Sequence, residues 1–157
     1  MANLPSTRES DKGLLEQPAL IVSAVSDAGR RTIFDLDHRE VGFAEWDRRS
    51  WWRGHTLSIH EREDSPLVFT VARRWMWPFR REVRDAEGEL IGELAGRRVL
   101  DRWGDAVMRR EHEHLTDLHG VVLARWSCGK AGSRLEFQPS VRSDPFACML
   151  VLAAMLI

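Results

Sequence analysis

The stretch from Ser143 to Ile157, SDPFACMLVLAAMLI, decides which folds this chain can adopt. Ser143 or Asp144 can act as a helix N-cap, and Pro145 suits the first helical position because an N–H there would have no partner in the helix. After Pro145 every residue is apolar, so the predicted helix is apolar on all sides. Such a helix is buried either in a protein core or in a membrane.

The length of this helix favours a protein core. The run after Asp144 holds about 13 residues and reaches about 20 Å at the rise of an α-helix. A membrane span takes about 20 apolar residues, whereas runs of 10–14 are typical of buried core helices. We therefore interpret residues 144–157 as a core helix, with a membrane anchor as the alternative.

Strand signals fill most of the chain before this helix. Short apolar runs, several of them alternating with polar residues, are separated by turn clusters rich in Asp, Gly and Ser. A spacing of about 8–12 residues, with no long helical pattern in between, predicts an antiparallel meander. The predicted strands span residues 19–25, 31–36, 41–46, 55–60, 67–74, 79–85, 89–96, 106–114, 120–126 and 133–139.

A helix that is apolar on all sides must be surrounded, and a closed sheet can do this. An eight-stranded barrel is filled by its own side chains, but a larger barrel leaves room for another element. All-β barrels with a central helix are a known solution. The sequence thus predicts a mainly β fold, a closed antiparallel barrel of about ten to twelve strands around the C-terminal helix.

A weak repeat supports a series of similar hairpins. The segments DLDHREVG, DAEGELIG and DLHGVVLA begin at Asp35, Asp85 and Asp117, and each has a small residue at its eighth position. REDSPLVF, residues 62–69, is a looser copy. Asp at the start of a turn accepts hydrogen bonds from the backbone ahead, and Gly tolerates positive φ. We therefore predict a turn role for these carboxylates, not acid–base catalysis.

Composition and charge limit the remaining possibilities. The chain has 157 residues and a formal net charge of −1, so one domain is expected and no global field draws it to polyanions. Cys128 and Cys148 have neither metal-ligand spacing nor a disulfide framework, which indicates a reducing compartment. Residues 1–13 are expected to form a flexible polar leader, because they lack the apolar region of a signal peptide. The domain is predicted to cover 14–157.

The stretch RRWMWPFRR, residues 73–81, combines arginines and large aromatic rings with no acid among them. It is expected to form a hairpin tip. RRSWWRGH, residues 48–55, repeats the theme. Tryptophan rings suit the depth of lipid head groups, and guanidinium groups pair with phosphates. The candidate lipid-binding residues are Arg73, Arg74, Trp75, Trp77, Arg80, Arg81, Trp51, Trp52 and Arg53. The alternative is that the rings pack on the barrel while the arginines are solvated or pair with acids such as Glu82.

Other functional classes find little support in the sequence. The slightly acidic chain carries no recognised nucleic-acid motif, so nucleic acid is not an expected partner. His112 and His114 would share a strand face, but two ligands do not make a metal site. Neither a phosphate loop nor a nucleophile elbow nor a Cys–His arrangement stands out. We therefore expect no enzymatic activity, no cofactor and no metal.

Several of these features together resemble the tubby C-terminal-like superfamily, specifically small proteins related to phospholipid scramblases and to plant LURP-one-related proteins. The matching stretches are LLEQPALIVSAV, FTVARRWMWPFRREVRDAEGELIGEL, LTDLHGVVLARW and the apolar final helix, within residues 14–157. The resemblance implies a twelve-stranded barrel whose middle is filled by the hydrophobic helix. Tubby relatives bind phosphoinositide head groups through basic residues, but that motif has no residue-by-residue match here.

The chain departs from the scramblases in ways that bear on function. It has no cysteine cluster for palmitoylation, no Pro-rich region and no acidic spacing like a calcium loop. These differences speak against calcium-triggered lipid movement. The expectation is a non-enzymatic cytoplasmic protein, at most peripheral at the inner face of the membrane, that binds an anionic phospholipid surface weakly. The alternatives are a soluble protein-interaction module with a protein partner and no lipid role, or a scramblase-like lipid transporter.

Overall fold

A closed antiparallel barrel forms the body of the protein. The computed structural model of the chain describes residues 12–47, 55–62, 66–73 and 79–157. Within these residues, twelve strands pair with their neighbours along the chain, and β1 closes the barrel on β12. The strands are β1 Ala19–Ser23, β2 Arg30–Phe34, β3 Glu40–Asp47, β4 Thr56–His60, β5 Leu67–Arg73, β6 Arg80–Asp85, β7 Leu90–Ala95, β8 Arg98–Asp101, β9 Ala106–Arg110, β10 His114–Asp117, β11 Val122–Gly129 and β12 Gly132–Phe137. The predicted fold class is confirmed.

Two helices follow the strands, α1 Pro139–Arg142 and α2 Pro145–Leu156, and α2 fills the barrel. The N-cap of α2 is Asp144, whose Oδ1 accepts a hydrogen bond from the Phe146 N–H at 3.0 Å. Along α2 the side chains from Cys148 to Ala154 are all buried, so the prediction of a core helix is confirmed. In the described part of the chain, no helix combines the length and apolarity that a membrane crossing requires.

The structure differs from the sequence-based prediction in four places. β8 was missed, because a four-residue strand that follows a tight turn at Gly96, with φ of +63°, leaves little periodicity to detect. The predicted strand 106–114 is two strands, β9 and β10, separated by residues 111–113. The short helix α1 and a single 3₁₀ turn, Leu14–Glu16, were also not predicted. Residues 1–11 of the predicted leader lie outside the described residues.

The predicted Asp turns are confirmed, and they share one hydrogen-bond pattern. In each turn an Asp Oδ1 accepts hydrogen bonds from the second and fourth backbone N–H groups ahead, at 2.8 to 3.1 Å. The residue three positions after each Asp has positive φ: His38 at +59°, Gly88 at +85°, Gly104 at +89° and Gly120 at +84°. The turn that starts at Asp101 has the same pattern. The sequence predicted a turn at residues 102–105 but did not place it in the repeat.

The same unit also places a register shift in the following strand. Val41, Ile91, Val107 and Leu123 each stand at the seventh residue of a unit, where the register shifts by one residue. Val68, the seventh residue of the looser copy, lies at another such shift; residues 63–65 of that copy lie outside the described residues. A bulge of this kind bends the strand, as a closed barrel requires.

The meander places alternate connections at opposite ends of the barrel. The turns that start at Asp35, Asp85, Asp101 and Asp117 lie at one end, which we call the Asp-turn end. The connections β3–β4, β5–β6, β7–β8 and β9–β10 lie at the other, which we call the arginine end. The helix α2 begins at the Asp-turn end, where Phe146 adjoins Asp85 and Asp101, and finishes at the arginine end, where Ala154 adjoins Arg81.

Candidate functional site

Two arginines face each other across the ends of β5 and β6. The register pairs Val71 with Val83 and Arg73 with Arg81. Val71 and Val83 are buried in the core, and side chains alternate along a strand, so both arginines share the inward face of the barrel. They therefore project toward the mouth of the barrel at its arginine end.

The mouth contains two cavities that share Arg81. One, of about 430 Å³, is lined by Trp46, His55, Arg73 and Arg81. The other, of about 200 Å³, lies over the end of α2 and is lined by Phe79, Arg81, Leu94, Gly96, Arg98, Val99, Arg110, Ala154 and Ile157. Both combine guanidinium groups with apolar or aromatic walls, which is the lining expected for an anion that carries an apolar body.

The arginines of the mouth are not paired with acids among the described residues. No carboxylate of those residues forms an ion pair with Arg73, Arg81, Arg98 or Arg110. Burial lowers the pKa of Arg81, and the positive charges of Arg73 and Arg110 lower that pKa further. The folded protein thus holds these cations together against their mutual repulsion.

The negative carboxyl end of α2 neutralises only a small part of this positive charge. The carboxyl end of a helix carries about half a negative elementary charge. Arg31, which pairs with the buried Ala44, donates a hydrogen bond to the carbonyl oxygen of Leu156 at 3.4 Å. Its Nε is buried and finds no partner among the described residues. Arg31 already donates a hydrogen bond to the helix end. The other arginines of the mouth therefore carry positive charge that the helix end does not neutralise.

Aromatic rings accompany the arginines. Phe79 is the first described residue of the β5–β6 connection and is 83% exposed. Trp46 meets His55 edge to face, with ring centroids 6.3 Å apart, beside Arg73. An exposed aromatic ring near guanidinium groups suits the boundary between water and lipid.

The structure separates the predicted site residues into three groups. Arg73 and Arg81 come together in the mouth. Arg80 lies on the other face of β6 and forms an ion pair with Glu93 at 3.4 Å. Glu82, named in advance as an acidic partner, pairs with Arg84 at 2.8 Å. Arg74, Trp75, Trp77, Trp51, Trp52 and Arg53 lie outside the described residues.

The strands that flank those undescribed segments set where the segments attach. β3 ends at Asp47 and β4 begins at Thr56, while β5 ends at Arg73 and β6 begins at Arg80. Thr56 pairs with Ala72, so β4 and β5 are neighbours at this rim. The β3–β4 and β5–β6 connections therefore both join strands at the arginine end, and they belong to neighbouring hairpins.

Sequence reasoning missed several residues of the mouth: Trp46, His55, Phe79, Arg98 and Arg110. A usable signal was present, because Arg110 follows the core residue Met108 by two positions and must share its face.

The structure corrects the predicted placement of two histidines. His112 lies in the turn between β9 and β10, whereas His114 begins β10, so they do not share a strand face as predicted. Across the described ranges, no cluster of three or more potential metal ligands is found. Cys128 is exposed and Cys148 is buried, and neither is in a disulfide.

Comparisons with known proteins support the architecture. No protein family model matches the chain, and no curated protein does so either. The X-ray structure of a protein from Arabidopsis thaliana is similar, with a TM-score of 0.59 and 12% sequence identity, over 89% of this chain and 93% of that chain. At this identity the likeness shows a shared fold alone.

Proposed function

We propose that this protein associates peripherally with anionic phospholipid surfaces through its arginine end and has no enzymatic activity of its own. The observation that carries this proposal is the cross-strand pair Arg73 and Arg81 at the mouth, without a carboxylate partner among the described residues. Like charges placed opposite each other destabilise a sheet. Such a pair is expected where an anion neutralises it.

Phosphate is the anion that this chemistry favours. A guanidinium group forms two parallel hydrogen bonds with a phosphate, and the bonds strengthen with the charge on both partners. Each basic residue near an anionic membrane contributes about 1 kcal/mol. Arg73, Arg81 and Arg110 together would therefore give weak binding that is sensitive to salt.

The fold and the earlier resemblance support a finer assignment within this proposal. The barrel with its buried helix is the architecture that the tubby-like resemblance implies, and we propose that the chain belongs to that superfamily. Anionic lipids concentrate in the cytoplasmic leaflet. A cytoplasmic protein at the inner face of the membrane therefore fits the proposed ligand.

Co-sedimentation with lipid vesicles tests the proposal. The protein and the variant Arg73→Ala/Arg81→Ala/Arg110→Ala are mixed with phosphatidylcholine vesicles that lack or contain phosphatidylserine or a phosphoinositide, at low and high salt. We expect binding to the anionic vesicles only, fading as salt rises. The variant should bind more weakly by about a hundredfold, since it loses about 1 kcal/mol for each of three arginines.

A variant with the same change in charge serves as the control. Arg39, Arg125 and Arg142 are exposed and lie away from the mouth, so Arg39→Ala/Arg125→Ala/Arg142→Ala should retain binding. Equal losses of binding in the two variants would show that net charge alone causes the attraction, and they would contradict a localised site. Binding to neutral vesicles would contradict recognition of phosphate charge.

A further inference from the structure

Another cavity opens at the Asp-turn end, at the opposite end of the barrel from the two cavities of the mouth. It measures about 350 Å³ and lies between the β6–β7 turn, the β8–β9 turn and the start of α2. Its apolar floor consists of Leu90, Ile91, Val107, Met108, Phe146, Ala147 and Leu150. We call this cavity the acidic groove, for the charges on its rim.

Carboxylates from three elements surround the apolar floor. Asp85 and Glu89 stand in one turn, Asp101 in the next, and Asp144 at the N-cap of α2. Asp85, Asp101 and Asp144 each use Oδ1 for the hydrogen bonds of the turn or the cap, and Oδ2 takes no part in them. Among the described residues, no cation forms an ion pair with any of these four carboxylates.

Exposed apolar side chains extend the floor toward solvent. Trp103 is 76% exposed and Phe146 is 46% exposed. On the neighbouring β10–β11 turn, Leu118 and Val121 are exposed as well. Isolated apolar residues on a surface are ordinary, but a cluster around a cavity indicates a contact surface.

The tryptophan of this rim already contacts a guanidinium group. The Arg102 guanidinium lies over the Trp103 ring, 4.9 Å from its centroid. Arg102 is also the one basic residue among those that line the groove. A second guanidinium from a partner would find both the ring and the neighbouring carboxylates.

We propose that the acidic groove docks a segment of a partner protein in which a large apolar side chain is flanked by arginine or lysine. The apolar side chain enters the floor at Met108 and Leu150, and the flanking cations pair with the rim carboxylates. Charge complementarity selects this partner, because four carboxylates on three elements call for more than one positive charge. A ligand with a single amine would leave most of them unpaired.

A synthetic peptide gives a direct test. The probe is a nine-residue peptide of sequence RRWMWPFRR, which is taken from residues 73–81 of this chain as an example of large apolar side chains flanked by arginines. Its partner probe replaces each arginine by glutamate. Fluorescence anisotropy of labelled peptide against full-length protein measures affinity at low and high salt. We expect the basic peptide to bind, with an affinity that falls as salt rises, and the acidic peptide not to bind.

Variants place the binding in the groove. Asp85→Asn/Glu89→Gln/Asp101→Asn removes three charges but keeps the Oδ1 acceptors of the turns, and it should weaken binding about tenfold, as expected for three rim ion pairs. The matched control, Asp35→Asn/Asp37→Asn/Asp117→Asn, removes three charges at the same end of the barrel, and it should bind like the unchanged protein. A second variant, Trp103→Ala/Phe146→Ala, changes only exposed rings and should also weaken binding.

Several outcomes would overturn the proposal. Equal losses in the groove variant and its control would mean that the peptide responds to net charge. Binding that appears only after deletion of residues 1–11 would make the leader of the chain the occupant. The Arg73→Ala/Arg81→Ala/Arg110→Ala variant should bind the peptide unchanged, so failure of the vesicle experiment leaves this test intact.

Discussion

At the scale of single residues, Cys148 shows how burial controls ionisation. Its thiol is fully buried at the start of α2 and donates a hydrogen bond to the Val141 carbonyl oxygen at 3.3 Å. Burial, followed by the negative charge of Asp144, raises the pKa of Cys148 from its ordinary 9.0 to about 11, against a smaller opposing effect of Arg142. The folded protein therefore holds this proton more tightly than the unfolded chain does.

This difference predicts a loss of stability in alkaline solution. Below pH 9 the thiol is protonated in both states, so Cys148 gives no pH dependence. Between about pH 9 and about pH 11 the unfolded chain ionises first, and the free energy of unfolding falls by up to about 1.4 kcal/mol per pH unit. Urea unfolding at several pH values in this window measures the slope. The variant Cys148→Ala is expected to be less stable at neutral pH but to have a shallower slope.

The Cys148→Ala variant is a well-matched control for this measurement. The chain has no tyrosine, and the protein and its Cys148→Ala variant differ in no other ionisable group, so the difference between their slopes reports on Cys148. An equal slope in Cys148→Ala would contradict the assignment of the alkaline transition to this thiol.

At the scale of elements, the repeated hairpin unit explains why certain residues are small. Gly92 is the eighth residue of the unit that starts at Asp85, just after the register shift in β7. A Cβ at Gly92 would collide with the carbonyl oxygen of Leu100 and come within 2.9 Å of Leu150 Cδ2 on α2. This glycine thus lets the sheet approach both a neighbouring strand and the helix.

The substitution Gly92→Ala is expected to destabilise the barrel. The added methyl group has no free volume, and overpacking of this kind costs about 1–3 kcal/mol. The free energy of unfolding from chemical denaturation measures the effect. Gly129→Ala is the matched control, since a Cβ there would meet only the Gly132 carbonyl oxygen at 3.5 Å and should change stability by less than about 0.5 kcal/mol. A similar loss in both variants would show that strand glycine in general, not this contact, sets the cost.

The same unit shows how much of the fold the sequence predicts. The turns at Asp35, Asp85 and Asp117 were recognisable because turn chemistry is local: one side chain accepts from the backbone just ahead. The turn after Asp101 was not counted in the repeat, because the eighth residue of its unit is Met108 and not a small residue. Packing explains why Gly92 is small, because it lies against the Leu100 carbonyl oxygen and Leu150, whereas Met108 lines the acidic groove.

The candidate site was less predictable, for a physical reason. Composition pointed to the arginines around residues 73–81, but which of them share a face depends on register. Arg81 follows the inward face through Val83, whereas Arg80, one residue away, turns outward to Glu93. Arg110 joins them only because closure of the barrel brings β9 near β6, a contact between distant parts of the chain that no local pattern encodes.

At the scale of the whole molecule, cavities lined by opposite charges lie at opposite ends of the barrel. Arg73, Arg81, Arg98 and Arg110 gather where α2 ends, and Asp85, Asp101 and Asp144 gather where it begins. A formal net charge of −1 hides this separation. The two ends therefore favour opposite partners, an anionic surface at one and a cationic segment at the other.

Repulsion among the arginines of the mouth lowers the stability of the folded protein. Substitution of Arg81 is therefore predicted to change stability and vesicle binding in opposite directions. The pKa of Arg81 is lowered by burial and by Arg73 and Arg110, so the folded state disfavours its charge, although the group stays protonated near neutral pH. Arg81→Met keeps an unbranched apolar stem and removes the charge. We expect the free energy of unfolding to rise by about 1 kcal/mol while binding to anionic vesicles weakens by about fivefold.

Denaturant unfolding and vesicle co-sedimentation of the same preparation measure the two effects together. Arg125→Met, at an exposed position of β11, is the control and should move neither quantity appreciably. A loss of stability in Arg81→Met would show that the guanidinium holds the barrel together and is not kept for a ligand. Opposite changes in stability and binding would follow only if the fold tolerates an unfavourable charge at the mouth and an anion relieves it.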